Sequence, residues 1–158
     1  MKVIVATGKE VLVDDDFEIP EGCCVYVAKS HGYVALVKYA GVVDGEYRYN
    51  RIYLHRYIAR APKGAQVDHI NGNRLDNRSA NLRVCTNAQN SRNKGPQKGK
   101  YKGVHWSKTG KHWVAQITKN YKVRHLGCFK TAEAAALAYN EAAKELHGEY
   151  AYLNKIDE

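Results

Sequence analysis

The chain has 158 residues, 44% of them apolar and 10% aromatic, which suits one ordinary domain or two small packed ones and excludes a disordered chain. No apolar run reaches the roughly 20 residues that cross a bilayer, and the opening MKVIVATGKEVLVDDDFEIP lacks the basic end, apolar core and small-residue cleavage site of a secretory signal, so an intracellular location is expected. The formal charge of +9 is uneven: residues 1–60 carry eight basic and eight acidic side chains, 61–98 carry seven and two, and Gly99–Lys130 carry eight basic and no acidic ones. A lysine-rich solvated surface usually interleaves both signs, so clustering of this kind points to a nucleic-acid partner.

The first fifty residues alternate apolar and polar in short runs, VIVA, EVLV, CCVYVA and YVALVKYAGVV, with turn signals at Pro20-Glu21-Gly22, His31-Gly32 and Asp44-Gly45. This reads as an antiparallel meander. From Ile52 the pattern changes to IYLHRYIAR, where Ile52, Tyr53, Arg56, Tyr57 and Arg60 recur at helical spacing until Ala61-Pro62-Lys63-Gly64, and a short helix is predicted there. A strand QVDHI, an Asn- and Gly-rich loop, a strand LRVCT and a helix opened by Thr86 follow, with Gln89 three residues on as in a capping box. Asn93-Lys94-Gly95-Pro96-Gln97-Lys98-Gly99 has no apolar side chain and reads as a linker. Beyond it, YKGVHW, KHWVAQIT and VRHLGCF form three strands, and TAEAAALAYNEAAKELHG forms a helix capped by Thr131 and stopped by Gly148. The domains expected are therefore 1–93, a linker 94–99, and 100–158. Cys23, Cys24, Cys85 and Cys128 are adjacent or isolated, which gives neither a C-x-x-C zinc pair nor a disulfide framework; no structural zinc is expected.

Strand, polar loop, strand and capped helix, with Asp68-His69 ending the first strand and Asn90 in the helix, is the layout of a one-metal phosphodiesterase. A hard divalent cation takes a few oxygen ligands and keeps waters, leaving room for phosphate oxygens. Asp68 and a helix carboxamide suit it. A neutral imidazole alongside, His69, can take a proton from water, although regular alternation sends its ring to the side opposite Asp68. Asn71, Asn73 and Asn77 read most simply as turn formers. Asn87 and Asn93 lie on the same helical face as Asn90, so spacing alone does not choose among the three. Beside a phosphate site, Arg74, Arg78, Arg83 and Arg92 are candidates for backbone contacts.

DHINGN, then SANLR and Asn90, within roughly residues 50–94, closely resemble the HNH homing endonucleases, a family built on a ββα-metal fold; the preceding meander is similar to the front half of phage-type members. The resemblance implies that Asp68 and Asn90 ligate one divalent ion, magnesium or alternatively manganese. It makes His69 the general base, Asn81 a brace for the loop and the His backbone, and His55 a supporting residue.

In the last part, alternation places Trp113, Ala115 and Ile117 on the face a helix would cover, with His112, Val114, Gln116 and Thr118 on the other. The open face is polar and basic, as a sheet that reads the major groove should be, and Trp106 and Trp113 are expected to pack beneath it. YKGVHWSKTGKHWVAQI and HLGCFKTAEAAALAYNEAAKELHGEYAYLN resemble the AP2 DNA-binding domain. By that likeness the DNA contacts fall at Lys102, His105, Gln116, Thr118 and His125; the charge around the open face adds Lys111 and Lys122, and Arg124, where the family usually has an apolar residue, is counted with them.

The expected fold class is α+β: a meander leading into a ββα-metal nuclease fold, then a three-stranded antiparallel sheet on one helix. The expected function is that of a DNA endonuclease of the homing type, nicking double-stranded DNA as a monomer or weak dimer, with no membrane partner, and leaving 5′-phosphate and 3′-hydroxyl ends. Two rivals are a catalytically inactive sequence-specific regulator and a protein of structured RNA.

Overall fold

The computed structural model describes residues 2–156. The chain forms two compact units, one ending at Asn87 and the other beginning at Ala88, so the stretch 94–99 expected as a linker lies in the second. Small antiparallel sheets and short helices make up both, as the mixed composition of elements predicted.

The first unit starts with the hairpin β1 (Lys2–Ala6) and β2 (Lys9–Val13). A three-stranded meander follows, β3 (Cys23–Val27), β4 (Val34–Val43) and β5 (Glu46–Tyr53), in the order β3-β4-β5. The β4–β5 turn is the Asp44-Gly45 pair, both residues at positive φ (52° and 78°), a conformation that matches the twist of paired strands and that Asp and Gly tolerate. Val11, Val13, Val27, Val34, Leu36 and Leu54 fill one core, with Phe17, Ile58 and Leu75 against it.

The helix predicted from Ile52 is shorter: β5 runs through Tyr53 and α1 covers only Leu54–Ile58. The residues that looked periodic are not the buried ones. Ile52 and Tyr57 are exposed, whereas Leu54 and His55 are inside. Cross-strand pairing of Ile52 with Leu36 and of Tyr53 with Ala35 wins over helical spacing at that end.

Next come β6 (Gln66–His69), a polar loop with a 3-10 turn at Ser79–Asn81, and β7 (Leu82–Cys85), which pairs with β6 so that Asp68 faces Arg83 and His69 faces Leu82. The loop is anchored to β2 by backbone bonds: Leu12 N donates to Leu75 O and Asn77 N donates to Leu12 O, each at 2.8 Å. Ser79 N donates to Asp14 Oδ2 at 2.8 Å. An apolar strand thus fixes a segment that has almost no apolar residues of its own.

The second unit takes in α2 (Asn87–Asn93) from Ala88 onward, then β8 (Val104–Ser107), β9 (His112–Lys119) and β10 (Lys122–Phe129), in the order β10-β9-β8, and α3 (Ala132–His147). Thr131 caps α3 as expected, its hydroxyl accepting from Ala134 N at 3.1 Å, and Gly148 ends it at positive φ. Ala115 and Ile117 lie beneath α3 among Tyr139, Ala142 and Ala143. The small residues of the α3 stripe permit that close approach; Tyr139 is buried deeply enough for its phenol to be pushed up to about 12.

Candidate active site and nucleic-acid interface

Three elements of the first unit converge on His69. The strand β6 delivers it, buried at 5% exposure, and the loop supplies Asn77, whose side-chain oxygen lies 3.4 Å from His69 Nε2. The Asn77 amide nitrogen donates to Arg74 O at 3.2 Å, which turns the carboxamide oxygen toward the ring. A carboxamide oxygen only accepts, so Nε2 carries the proton in this pairing and Nδ1 holds the lone pair. Burial lowers the His69 pKa and outweighs the raising effects of the Asn77 bond and of Asp68 and Asp76. The ring is held neutral.

Behind it stands α1. The His55 ring meets His69 edge-on at 5.2 Å and stacks on Tyr53 at 5.6 Å, while Tyr33 lies 5.1 Å away. Burial, then the neighbouring His69 and Arg56, push the His55 pKa down to about 4, and its Nδ1 is buried without a hydrogen-bond partner. Tyr33, Tyr53 and His31 complete this aromatic wall, with His31 Nε2 3.4 Å from the Tyr53 hydroxyl.

Asp68 points to the other face of β6, as alternation requires. Its Oδ2 accepts from Arg83 Nε at 3.0 Å and from NH2 at 2.7 Å, a charge-assisted cross-strand pair with both partners largely buried. Asn81 binds the loop together: its oxygen accepts from Asn71 N (3.0 Å), and its amide donates to Asn71 Oδ1 (3.0 Å) and Asp76 O (2.8 Å). The backbone carbonyl of Asn81 accepts from Ile70 N at 2.9 Å, one residue beyond His69. Asn71 and Asn73 are turn formers, their side-chain oxygens accepting from Asn73 N and Leu75 N. Asn77 is not merely that: it is fully buried and orients the imidazole.

Among the described residues no three His, Cys, Asp or Glu side chains converge as a metal cage. A carboxylate such as that of Asp68 is the hard oxygen donor that a divalent cation takes. Asn90 is half-buried on α2 in the second unit, and Asn87 and Asn93 share that helix.

The expected DNA contacts divide by position. Arg74 stacks over Tyr33 at 4.6 Å and donates to His31 O at 2.5 Å. Arg78 is bidentate on buried Asp76, at 2.8 and 2.6 Å, and this bond holds the Asp76 carboxyl below its ordinary range. Arg92 is half-buried on α2, and its carbonyl accepts from Lys102 Nζ at 2.6 Å. Lys102 also donates to Lys94 O at 2.7 Å, and burial lowers its amine to about 8. On the open sheet face, register groups His105, Val114 and Cys128 in one row, Gln116 with His125 in the next, and Thr118 with Val123 after it. Lys111 sits in the hairpin between β8 and β9 at positive φ. Lys122 and Arg124 lie on the helix side of β10, where Arg124 pairs with Glu145 at 3.6 Å. Trp106 and Trp113 pack edge-on at 5.3 Å on that same side.

Besides Asn77, the sequence reading missed the Arg83 pairing and the tyrosines around His55. Short polar residues in an Asn-rich loop carry no signal that separates an orienting amide from a turn former, and a tyrosine at a strand end resembles ordinary core.

The family model for HNH endonucleases matches residues 53–92, which contain His55, Asp68, His69, Asn81 and Asn90. An uncharacterised HNH endonuclease of Acanthamoeba polyphaga mimivirus is 38% identical over 117 residues, covering 70% of this chain and 62% of that protein. Protein 3.8 of Escherichia phage T7 is 34% identical over 93 residues, covering 57% of this chain and 76% of its own length. Dehydration-responsive element-binding protein 2E of Oryza sativa subsp. japonica is 49% identical over 72 residues, covering 39% of this chain and only 22% of the plant protein. The chain thus spans less than two thirds of the mimivirus and rice relatives.

Proposed function

Because the chain belongs to the HNH endonuclease family and carries an AP2-like module in its C-terminal part, we propose that it is a site-directed DNA endonuclease of the homing type, which nicks duplex DNA. The nuclease part is assigned to residues 1–93 and recognition to 100–158. The observation that carries this reading is the placement of His69: its ring is buried, Asn77 Oδ1 lies 3.4 Å from Nε2, and burial lowers its pKa, which favours the neutral imidazole. That is the condition of a general base at neutral pH.

Asp68 and Asn90 are the residues that would hold a divalent ion, magnesium or manganese; when bound it supplies positive charge to the scissile phosphate and the departing oxygen. His69 Nδ1 takes a proton from water, the water oxygen forms its bond to phosphorus, and the bond from phosphorus to the 3′-oxygen breaks. The 3′-oxygen takes up a proton, leaving 3′-hydroxyl and 5′-phosphate ends. Asn77 and the His55 ring keep the imidazole from turning, and Asn81 keeps the loop closed beneath it. One such site per chain cuts one strand. His105, Gln116, Thr118 and His125 on the open sheet face read the target, and weak contacts there raise the local concentration of the nuclease.

Incubating supercoiled plasmid with the protein and magnesium tests this. Nicking that EDTA and His69→Ala both abolish supports the endonuclease. A protein that binds the plasmid and never cuts it, with magnesium or manganese, is the regulator instead, and one that duplex RNA outcompetes is an RNA protein.

A further inference from the structure

The first unit carries a second surface, leading away from His69. Cys23 pairs with Lys38 at the end of the β3–β4 ladder, so beyond Lys38 the sheet narrows to a two-stranded ribbon of β4 and β5. On that ribbon Tyr39 lies 6.2 Å from the Tyr47 ring and 5.9 Å from the Tyr49 ring, which puts all three on one face. They are 53%, 70% and 59% exposed, and Val42, paired with Tyr47, is 52% exposed. Large exposed apolar groups in one contiguous strip mark a surface that meets something.

The strip is continuous with the candidate active site. Strand alternation places Tyr47, Tyr49, Arg51 and Tyr53 on the same side of β5, and Tyr53 stacks on His55, the ring that packs against His69. Register adds Val37, Tyr39 and Val42 from β4, so among the described residues of β4 and β5 this face carries Arg51 and no carboxylate; Glu46 lies on the opposite face, paired with Arg48 at 3.0 Å. Phenol hydroxyls and a guanidinium suit phosphate and sugar oxygens, ring faces suit the deoxyribose and base edges, and a two-stranded ribbon fits the major groove. An isologous contact with a second copy would instead bury two Arg51 side chains on a face that offers neither a counter-charge.

We propose that the tyrosine face of the β4–β5 ribbon docks duplex DNA outward from the cut phosphate. From Tyr53 to Tyr47 the strand spans roughly 20 Å, the length of about six base-pair steps. The direction of the duplex rests on the nuclease reading of His69; the docking itself is measured without cutting.

The test uses the full chain with a fluorescein-labelled duplex of about 40 base pairs of mixed sequence, alongside plasmid nicking with magnesium. Tyr39→Ser/Tyr47→Ser/Tyr49→Ser should bind the duplex about tenfold more weakly and nick correspondingly less at limiting enzyme, with Tm unchanged, because aromatic anchors at an interface carry much of its affinity. Val43→Ser on the other face should alter neither. If the triple variant does not fold, Tyr47→p-benzoylphenylalanine alone decides, and a photo-crosslink to the duplex is the result expected. Full affinity in the triple variant, or no crosslink from position 47, overturns the proposal while plasmid nicking by the unmutated chain leaves the nuclease reading standing. An unmutated chain that never nicks, with the weakened binding of the triple variant and the crosslink from position 47 both seen, does the reverse: the docking stands and the nuclease reading falls. Light scattering that shows the triple variant turning a dimer into a monomer at unchanged DNA affinity also overturns it and assigns the face to a second copy.

Discussion

Asn77 and His69 are paired through a single contact, side-chain oxygen to Nε2 at 3.4 Å, and Asn77 is itself fixed by bonds to Arg74 O and Leu12 O. The pairing sets which nitrogen is basic. Asn77→Asp preserves the shape and sets a carboxylate against the ring, which stabilises imidazolium and raises the His69 pKa. The acid limb of the nicking pH profile should then move to higher pH, with activity lost earlier as pH falls. Asn77→Ala should lower the nicking rate about tenfold to a hundredfold through loss of orientation. Initial rates between pH 5 and 9 check both, and an acid limb that stays put in Asn77→Asp counts against the pairing.

The Asp68–Arg83 pair is the second dependence. A guanidinium on one carboxylate oxygen neutralises the strand before any cation arrives, so Arg83→Met leaves buried negative charge with that cation gone. Removing one member of a buried pair costs about 3 kcal/mol, to be read as a lower urea midpoint. If Asp68 ligates a divalent ion, manganese should restore part of that loss, and should stabilise Arg83→Met more than the unmutated chain. Asp68→Asn/Arg83→Met should gain nothing from manganese; equal metal stabilisation in all three proteins would remove Asp68 from the ligand set.

His55 gives the fold a pH dependence. Its folded pKa is about 4 against 6.5 for the free side chain, so the unfolded chain binds the extra proton between those values. Stability is full above pH 6.5 and declines as pH falls toward 4, with His69 and His147, also lowered by burial, acting in the same direction. Chemical denaturation at pH 7.5 and pH 4.5 should differ by on the order of 3 kcal/mol from His55 alone. His55→Phe should flatten that slope, and an undiminished slope would place the acid sensitivity elsewhere.

Much of this was legible because it depends on local chemistry. The Thr131 cap, the Asp44-Gly45 turn, the buried Ala115 and Ile117, and the opposed facing of Asp68 and His69 all follow from capping, turn geometry or alternation. Helical spacing misled at Ile52 and Tyr53 because a strand and a short helix meet there, and pairing with β4 decides the outcome. Asn77 and Asn73 looked alike in sequence, yet only Asn77 is tied to β2, through a strand some sixty residues earlier. Contacts of that range leave no periodicity to detect. Nor does the sequence mark the Arg78–Asp76 pair, although its members are only two residues apart: the burial of that carboxylate gives the pair its weight, and burial is not written in the spacing.

Lys102 shows how a structural role and a phosphate contact can be told apart by measurement. Its amine donates to the carbonyls of Arg92 and Lys94 at the end of α2, and its side chain is half-buried, so it serves as a cap for that helix. Lys111 is exposed in the hairpin. Each lysine that neutralises a DNA phosphate contributes about 0.9 to the slope of log K against log salt. Lys111→Met should therefore reduce that slope by about one, weaken binding similarly for all sequences and leave Tm alone. Lys102→Met should do the opposite: it leaves helix-end carbonyls without their donor, lowers Tm, and keeps the salt slope. Titrations of a labelled duplex from low to moderate salt, beside thermal melts, separate the two, and a slope that falls for Lys102→Met with an unchanged Tm would return that lysine to the DNA interface.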